Sequence, residues 1–247
     1  MATTLLTVKH LGISFGHRAV IQDLSFEIGS GDCLAIIGPN GAGKTVLLKS
    51  LMGMLSHSGE IRWSEGARLG YVPQKVAADW HLPLRARDLL VAKLRTLKLP
   101  EEELRSVCSQ VGLSAEVLNG TMGSLSGGQF QKVLIAFALV GRPNVLLFDE
   151  PTASLDELTE DRVYELLHFL QKEQGITVVL VSHDLSVVYH YATQVLCLSK
   201  GMTCMGPPHE ILTPDRLEEL YAAPPKYYRH ADVHDRHAEF DSPGREE

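Results

Sequence analysis

Gly38-Pro39-Asn40-Gly41-Ala42-Gly43-Lys44-Thr45 carries the spacing G-x-x-x-x-G-K-T. Those residue types at that spacing suit the holding of a polyphosphate. The glycines let the backbone take conformations barred to other residues and approach phosphate oxygens closely. The loop N–H groups then converge as an anion nest at the positive end of a helix. Lys44 adds a point charge for β- and γ-phosphates, and the Thr45 hydroxyl is a ligand for Mg²⁺.

A second constellation is the acid pair Asp149-Glu150, which follows the apolar run 145–148. A strand of a parallel sheet would deliver both carboxylates to the edge where the phosphate loop lies. Asp149 then fits the Mg²⁺ side, and Glu150 fits a base that polarises an attacking water. A third is Leu125-Ser126-Gly127-Gly128-Gln129. Ser126 has the character of an N-cap, and the two glycines leave bare amides at a helix N-terminus. One nucleotide does not need two such loops far apart in sequence. Two copies of the chain facing each other would use both, which implies a nucleotide-sandwiched homodimer.

These residues require elements to position them. Residues 33–37 form a short apolar strand before the loop, and 44–54 form a helix with Leu47, Leu48 and Leu51 at helical spacing. Residues 7–15 and 20–28 alternate as antiparallel strands around Gly16-His17-Arg18. Strands over 59–63 and 69–72 follow. From about 75 to 125 the texture turns helical (84–97, 101–111, 115–118), punctuated by Pro83, Pro100 and Gly112. Helices over 129–140 and 157–174 then alternate with buried strands over 145–148 and 177–181, the pattern of a parallel sheet covered on both faces. A hairpin of 194–198 and 202–205, turned at Lys200-Gly201, closes the core. The expected fold is α/β, a P-loop core with a mixed sheet, an N-terminal antiparallel β subdomain and an inserted α-helical subdomain. The expected division is one domain over 1–225 and a polar tail over 226–247.

Composition is that of a soluble globular chain of 247 residues with a formal charge of −7, which gives no general attraction to nucleic acid. The longest apolar run, 133–140, falls short of the roughly 20 residues a spanning helix needs. The first residues lack the pattern of a secretory signal. Cys33, Cys108, Cys197 and Cys204 form no C-x-x-C pair and are expected to be reduced, small buried residues.

The set of phosphate loop, Gln74, Leu-Ser-Gly-Gly-Gln, Asp149-Glu150, Ser154-Leu155-Asp156 and His183, in that order, resembles ABC-transporter ATP-binding subunits over roughly residues 5–225. The resemblance implies ATP and Mg²⁺ as cofactors, with Gly38 to Thr45 and the following Val46 as the ATP-binding segment. Phe15 resembles the aromatic that stacks on adenine, although an edge phenylalanine fits the pattern equally. Gln74 resembles the glutamine that touches Mg²⁺ or water and senses a membrane partner; Thr45, Gln74 and Asp149 form the implied Mg²⁺ set. Glu150, His183 and Gln74 are the implied catalytic residues, His183 as the switch that holds the γ-phosphate. Ser126, Gly127, Gly128 and Gln129 would contact ATP on the opposite subunit, and Asp156 would lie at the dimer seam. Val46 stands where relatives carry Ser or Thr, so one hydroxyl contact to the α-phosphate is missing and weaker nucleotide binding is expected. Lys132 and Phe137 replace arginines common in the family.

Gly70 to Lys75 and then Asp79 to Pro83 resemble metal-uptake systems of bacteria, and residues 195–198 with the later tail resemble zinc-uptake ATPases in particular. The implied partners are a second copy, an integral membrane permease gripped near Asp79, Trp80 and Leu82, and indirectly an extracytoplasmic metal-binding protein. The implied place is the cytoplasmic face of the inner membrane, as a peripheral subunit. His230, His234 and His237 share one face if the tail is helical, a spacing able to chelate Zn²⁺, and a solvated tail is the competing reading. A soluble ABC-type scaffold ATPase and an exporter subunit remain compatible with the same residues.

Overall fold

The computed structural model describes residues 3–74, 83–151, 156–199 and 202–221. The expected permease grip at Asp79, Trp80 and Leu82, the Ser154-Leu155 pair, the Lys200-Gly201 turn and the tail histidines lie outside the described residues.

β1 (Thr4–Phe15) and β2 (Arg18–Gly29) pair antiparallel, closing at Phe15 opposite Arg18. Alternation dictates their faces. Leu6, Val8, Leu11 and Ile13 of β1 and Ile21, Leu24, Phe26 and Ile28 of β2 are all buried. β3 (Cys33–Ile37), buried at every position, runs into the phosphate loop and then α1 (Lys44–Leu51). β4 (Ser58–Trp63) adds to the free edge of β1 and completes a three-stranded sheet ordered β2-β1-β4. β5 (Leu69–Val72) leads to Gln74.

The helical insertion holds α2 (Ala86–Thr96), α3 (Glu101–Val111) and α4 (Ala115–Asn119). α5 (Gly127–Leu139) returns the chain to β6 (Val145–Asp149). α6 (Glu157–Gln174), β7 (Thr177–Val181), α7 (Leu185–Tyr191), β8 (Gln194–Ser199), β9 (Met202–Gly206), α8 (Pro208–Ile211) and α9 (Pro214–Tyr221) follow. The second sheet has six strands in the order β5-β6-β7-β3-β8-β9, parallel except for β9.

The inserted helices do not make an isolated core. Leu90 and Leu94 of α2 and Leu104 and Val107 of α3 pack in one cluster with Ile135 and Leu139 of α5 and Leu146 and Phe148 of β6. Each such buried side chain contributes roughly 1.5–3 kcal/mol relative to exposure. The other face of the sheet packs on α1 and the antiparallel strands through Leu34, Ile36, Leu47 and Leu48. Among the described residues no helix is long and apolar enough to cross a membrane.

The cysteines require a correction. Four reduced thiols are expected, yet Cys197 and Cys204 are joined as a disulfide. They are direct partners in the β8–β9 register, and their Cα atoms lie 4.9 Å apart, a separation that suits the bridge. Cys33 and Cys108 are free and buried, as expected. The helix after the phosphate loop is also shorter than the 44–54 expected. It ends at Leu51, and Gly53 follows at φ 71°. α7 was absent from the expected elements.

Candidate nucleotide-binding and hydrolysis site

Because β3, β5, β6, β7 and β8 run parallel, their carboxyl ends share one edge of the sheet. That edge carries the phosphate loop after β3, Gln74 after β5, Asp149 at the end of β6 with Glu150 next, and His183 after β7. Four segments far apart in sequence therefore meet where an open parallel sheet binds ligands.

Gly38 could not be another residue. Its φ is 148°, and a Cβ there would lie 1.9 Å from the Leu198 carbonyl oxygen of β8. The loop thus enters flush against the neighbouring strand. Gly43 caps α1 without any side-chain bond, so the first amides of the helix stay free for a ligand. Val20 of β2 packs against the loop at Gly43, a supporting contact the sequence pattern does not announce. Phe15 is 53% exposed at the hairpin end of β1, open to a flat partner.

The Lys44 ammonium is buried and donates to the carbonyl oxygens of Gly38 (2.7 Å) and Pro39 (3.2 Å). Burial lowers its pKa, while the carboxylates of Glu150 and Asp149 push it back up. The Thr45 hydroxyl donates to Asp149 Oδ1 at 3.0 Å, across the width of β7. Asp149 is 3% exposed, and desolvation raises its pKa. The hydrogen bonds from Thr45 and Tyr71 pull in the other direction. Tyr71 was not anticipated. Its hydroxyl donates to Asp149 Oδ2 at 3.4 Å, and burial with the adjacent carboxylate pushes its pKa up to about 12. Its place on β5, two rungs before the acid on the neighbouring strand, was the available signal.

Glu150 sits at φ 48°, a left-handed backbone unusual for a glutamate. Its N–H donates to the Val181 carbonyl (3.1 Å), and its carboxylate accepts from Gln74 Nε2 (2.5 Å). His183 is exposed on the short loop between β7 and α7. Asp184 next to it caps α7 by accepting from the N–H groups of Ser186 and Val187.

Ser126 caps α5 as expected. Its Oγ accepts from Gln129 N–H (3.3 Å), and its own N–H donates to Gln129 Oε1 (3.0 Å). Ser126, Gly127 and Gln129 remain exposed. Gly128 faces α6, where a Cβ on it would lie 2.4 Å from Thr159 Cγ2. Asp156 caps α6, accepting from Thr159 N–H (3.0 Å) and the Thr159 hydroxyl (2.8 Å). Those bonds, the hydroxyl first, hold its carboxyl below the usual range. Val46 is half-buried and packs into the core below the loop. Phe137 places its ring under the Lys93 ammonium, 4.5 Å from the centroid.

A phosphate loop at the centre of a parallel sheet, with a strand-end acid hydrogen-bonded to the loop threonine, defines a P-loop nucleotide-binding domain. Residues 21–153 match the family model described as ABC transporter. The chain is 34% identical to a zinc import ATP-binding protein ZnuC of Pseudomonas entomophila, covering 99% of this chain and 96% of that protein. It is 38% identical to the ZnuC of Yersinia pseudotuberculosis, covering 86% and 83%. A solved structure of a metal-chelate type ABC transporter in an inward-facing conformation superposes with a TM-score of 0.82 at 30% identity, covering 90% of each chain. The chain belongs to the ABC transporter family.

Proposed function

We propose that this chain is the ATP-binding and ATP-hydrolysing subunit of a zinc importer, working as a pair of copies against a separate membrane permease. The observation that carries the chemistry is the Thr45–Asp149 hydrogen bond at the mouth of the phosphate loop. Zinc as cargo is supported by relatives named as zinc import proteins that align over nearly the whole chain.

In this reading the amides of residues 40–45 and the Lys44 ammonium hold the β- and γ-phosphates. Lys44 exchanges the carbonyls of Gly38 and Pro39 for phosphate oxygens. Phe15 offers its exposed ring to the base. Thr45, Asp149 and Gln74 present a hydroxyl, a carboxylate and an amide oxygen, a hard oxygen set that suits Mg²⁺. Bound there, the ion would neutralise charge on the transferred phosphoryl group. Glu150 accepts a proton from the water that attacks the γ-phosphorus. The new O–P bond replaces the bond to the bridging oxygen, and ADP leaves with inorganic phosphate. His183 contacts the γ-phosphate from the end of β7. Ser126 to Gln129, exposed and donor-rich, serve the nucleotide of the other copy, and Asp156 orders the α6 end beside them.

The test is capture of partners by tagged Glu150→Gln protein from solubilised membranes in the presence of ATP. Loss of the base holds the ATP-bound pair together with whatever it engages. A multi-spanning membrane protein in the eluate is the expected result. Soluble partners alone would overturn the permease assignment in favour of a scaffold ATPase.

A further inference from the structure

At the edge of the sheet opposite the phosphate loop, where β5, β6 and β7 begin, a cavity of about 480 Å³ opens between α3 and the loop joining α5 to β6. Glu103, Ser106 and Gln110 line it from one face of α3, at helical spacing. Arg68 enters from just before β5, Arg142 from the α5–β6 loop, and Gln174 from the end of α6.

The charges are only partly matched. Arg142 Nε donates to Glu103 Oε2 at 2.8 Å, and Glu103 is 3% exposed, so this carboxylate is already engaged. Arg68 Nε donates to the Arg142 carbonyl (2.8 Å), and its N–H donates to Asn144 Oδ1 (2.7 Å). Both guanidiniums are thus anchored through Nε. Among the described residues their terminal Nη groups have no protein acceptor. The Ser106 hydroxyl also has none, and Gln174 gives its amide oxygen to Gln110 Nε2 (3.3 Å), which leaves its own N–H groups unused. Two cations against one buried anion, surrounded by spare donors, present a net positive, donor-rich concavity. Arg142 takes a left-handed backbone, φ 49°, and its side chain is 78% exposed at the rim, open to a ligand from solvent. A guanidinium fixed at Nε offers its remaining edge to a carboxylate or phosphate.

We propose that this cavity binds a small organic anion through a carboxylate or phosphate group held by Arg68 and Arg142. The ligand would bridge the sheet, through these arginines, to the helical insertion, through Ser106 and Gln110. It would therefore favour one placement of the insertion over others, and that differential affinity is what allows a remote site to act on nucleotide binding. The site is separate from the proposed hydrolysis site and does not depend on the identity of the cargo.

The test is thermal stabilisation and calorimetric titration of the full chain with succinate and, separately, inorganic phosphate. Both are done in a Lys44→Ala background, which removes the phosphate loop's own ammonium. Saturable one-to-one binding of either probe is expected, and the better probe identifies the source as a carboxylate or a phosphoester. Arg68→Gln should weaken it by about tenfold or more, the loss of a charge-assisted contact. Glu103→Gln should tighten it, because it removes the competing negative charge. That opposite sign separates binding from a general loss of fold. No saturable binding of either probe, or equal affinity in all three proteins, would overturn the proposal.

Discussion

Gln74 Nε2 donates to Glu150 Oε2 across 2.5 Å, so the end of β5 and the end of β6 hold one another over the mouth of the phosphate loop. Glu150 is also the residue at φ 48°, a backbone that costs about 1–3 kcal/mol and persists only where its surroundings enforce it. The Val181 carbonyl at one end and the Gln74 amide at the other supply that enforcement. A displacement of Gln74 is thereby felt at the carboxylate proposed as base.

Separate substitutions at the two residues follow from this pairing. Glu150→Gln removes the proton acceptor and should lower kcat for ATP by about 10²–10⁴-fold. Gln74→Ala leaves the carboxylate in place but removes its restraint and one oxygen of the proposed Mg²⁺ set, and should lower kcat by about tenfold, a smaller loss than at Glu150. Steady-state hydrolysis by the purified chain decides between these outcomes. Equal losses at both positions would mean that the share of Gln74 in the Mg²⁺ set outweighs its hold on Glu150.

Gly128 and Thr159 make a second pair whose contact is testable. A methyl group added at Gly128 meets Thr159 Cγ2 at 2.4 Å, so Gly128→Ala overpacks the α5–α6 contact and should destabilise by about 1–3 kcal/mol. Thr159→Ser removes the offending methyl and keeps the hydroxyl that Asp156 accepts. The double variant should therefore recover most of the loss in thermal melts. Independent, additive effects would show that the clash is relieved elsewhere.

Much of this was legible in the sequence, for identifiable reasons. Continuous apolar runs bounded by glycine or polar residues gave β3 and β7 their observed ends, and the α3 bounds followed from Pro100 and Gly112. Signals that are local in sequence also placed the phosphate loop, the Ser126 cap and the strand-end acids. α7 escaped because it is seven residues long with Val187 and Val188 at its centre, although Asp184 before it was a cap signal. Tyr71 against Asp149, and the joining of Cys197 to Cys204, depend on which strands neighbour one another and in what register. Spacing along the chain does not carry that information. The anionic-ligand cavity is harder still, since Arg68, Arg142 and Gln174 meet only through the sheet order.

The disulfide predicts a simple labelling pattern. Unfolded without reductant and treated with an alkylating reagent, the protein should gain two adducts, at Cys33 and Cys108. After reduction it should gain four. Four adducts without reductant would show that Cys197 and Cys204 are thiols in the purified protein.

Asp149 predicts a stability change that is opposite to its effect on activity. Burial raises its folded pKa above the ordinary 3.8, so the folded state holds that proton more tightly than the unfolded chain does. Ionising it as pH rises past the folded pKa therefore costs stability, and below the ordinary value the cost vanishes. Asp149→Asn keeps an acceptor for Thr45 without the buried charge. Its Tm should exceed that of the wild type at pH 7 and converge with it toward about pH 4, while hydrolysis is lost. A lower Tm at pH 7 would contradict the dominance of desolvation at this carboxylate.

The most direct measurement is zinc uptake into vesicles that hold the co-purified permease, with this chain and Mg-ATP supplied on the side of the ATPase subunit. The expected result is zinc accumulation that requires ATP, stops with Glu150→Gln and is absent with permease alone. ATP hydrolysis at full rate with no zinc moved, or uptake unchanged by Glu150→Gln, would contradict the assignment of this chain as the motor of a zinc importer.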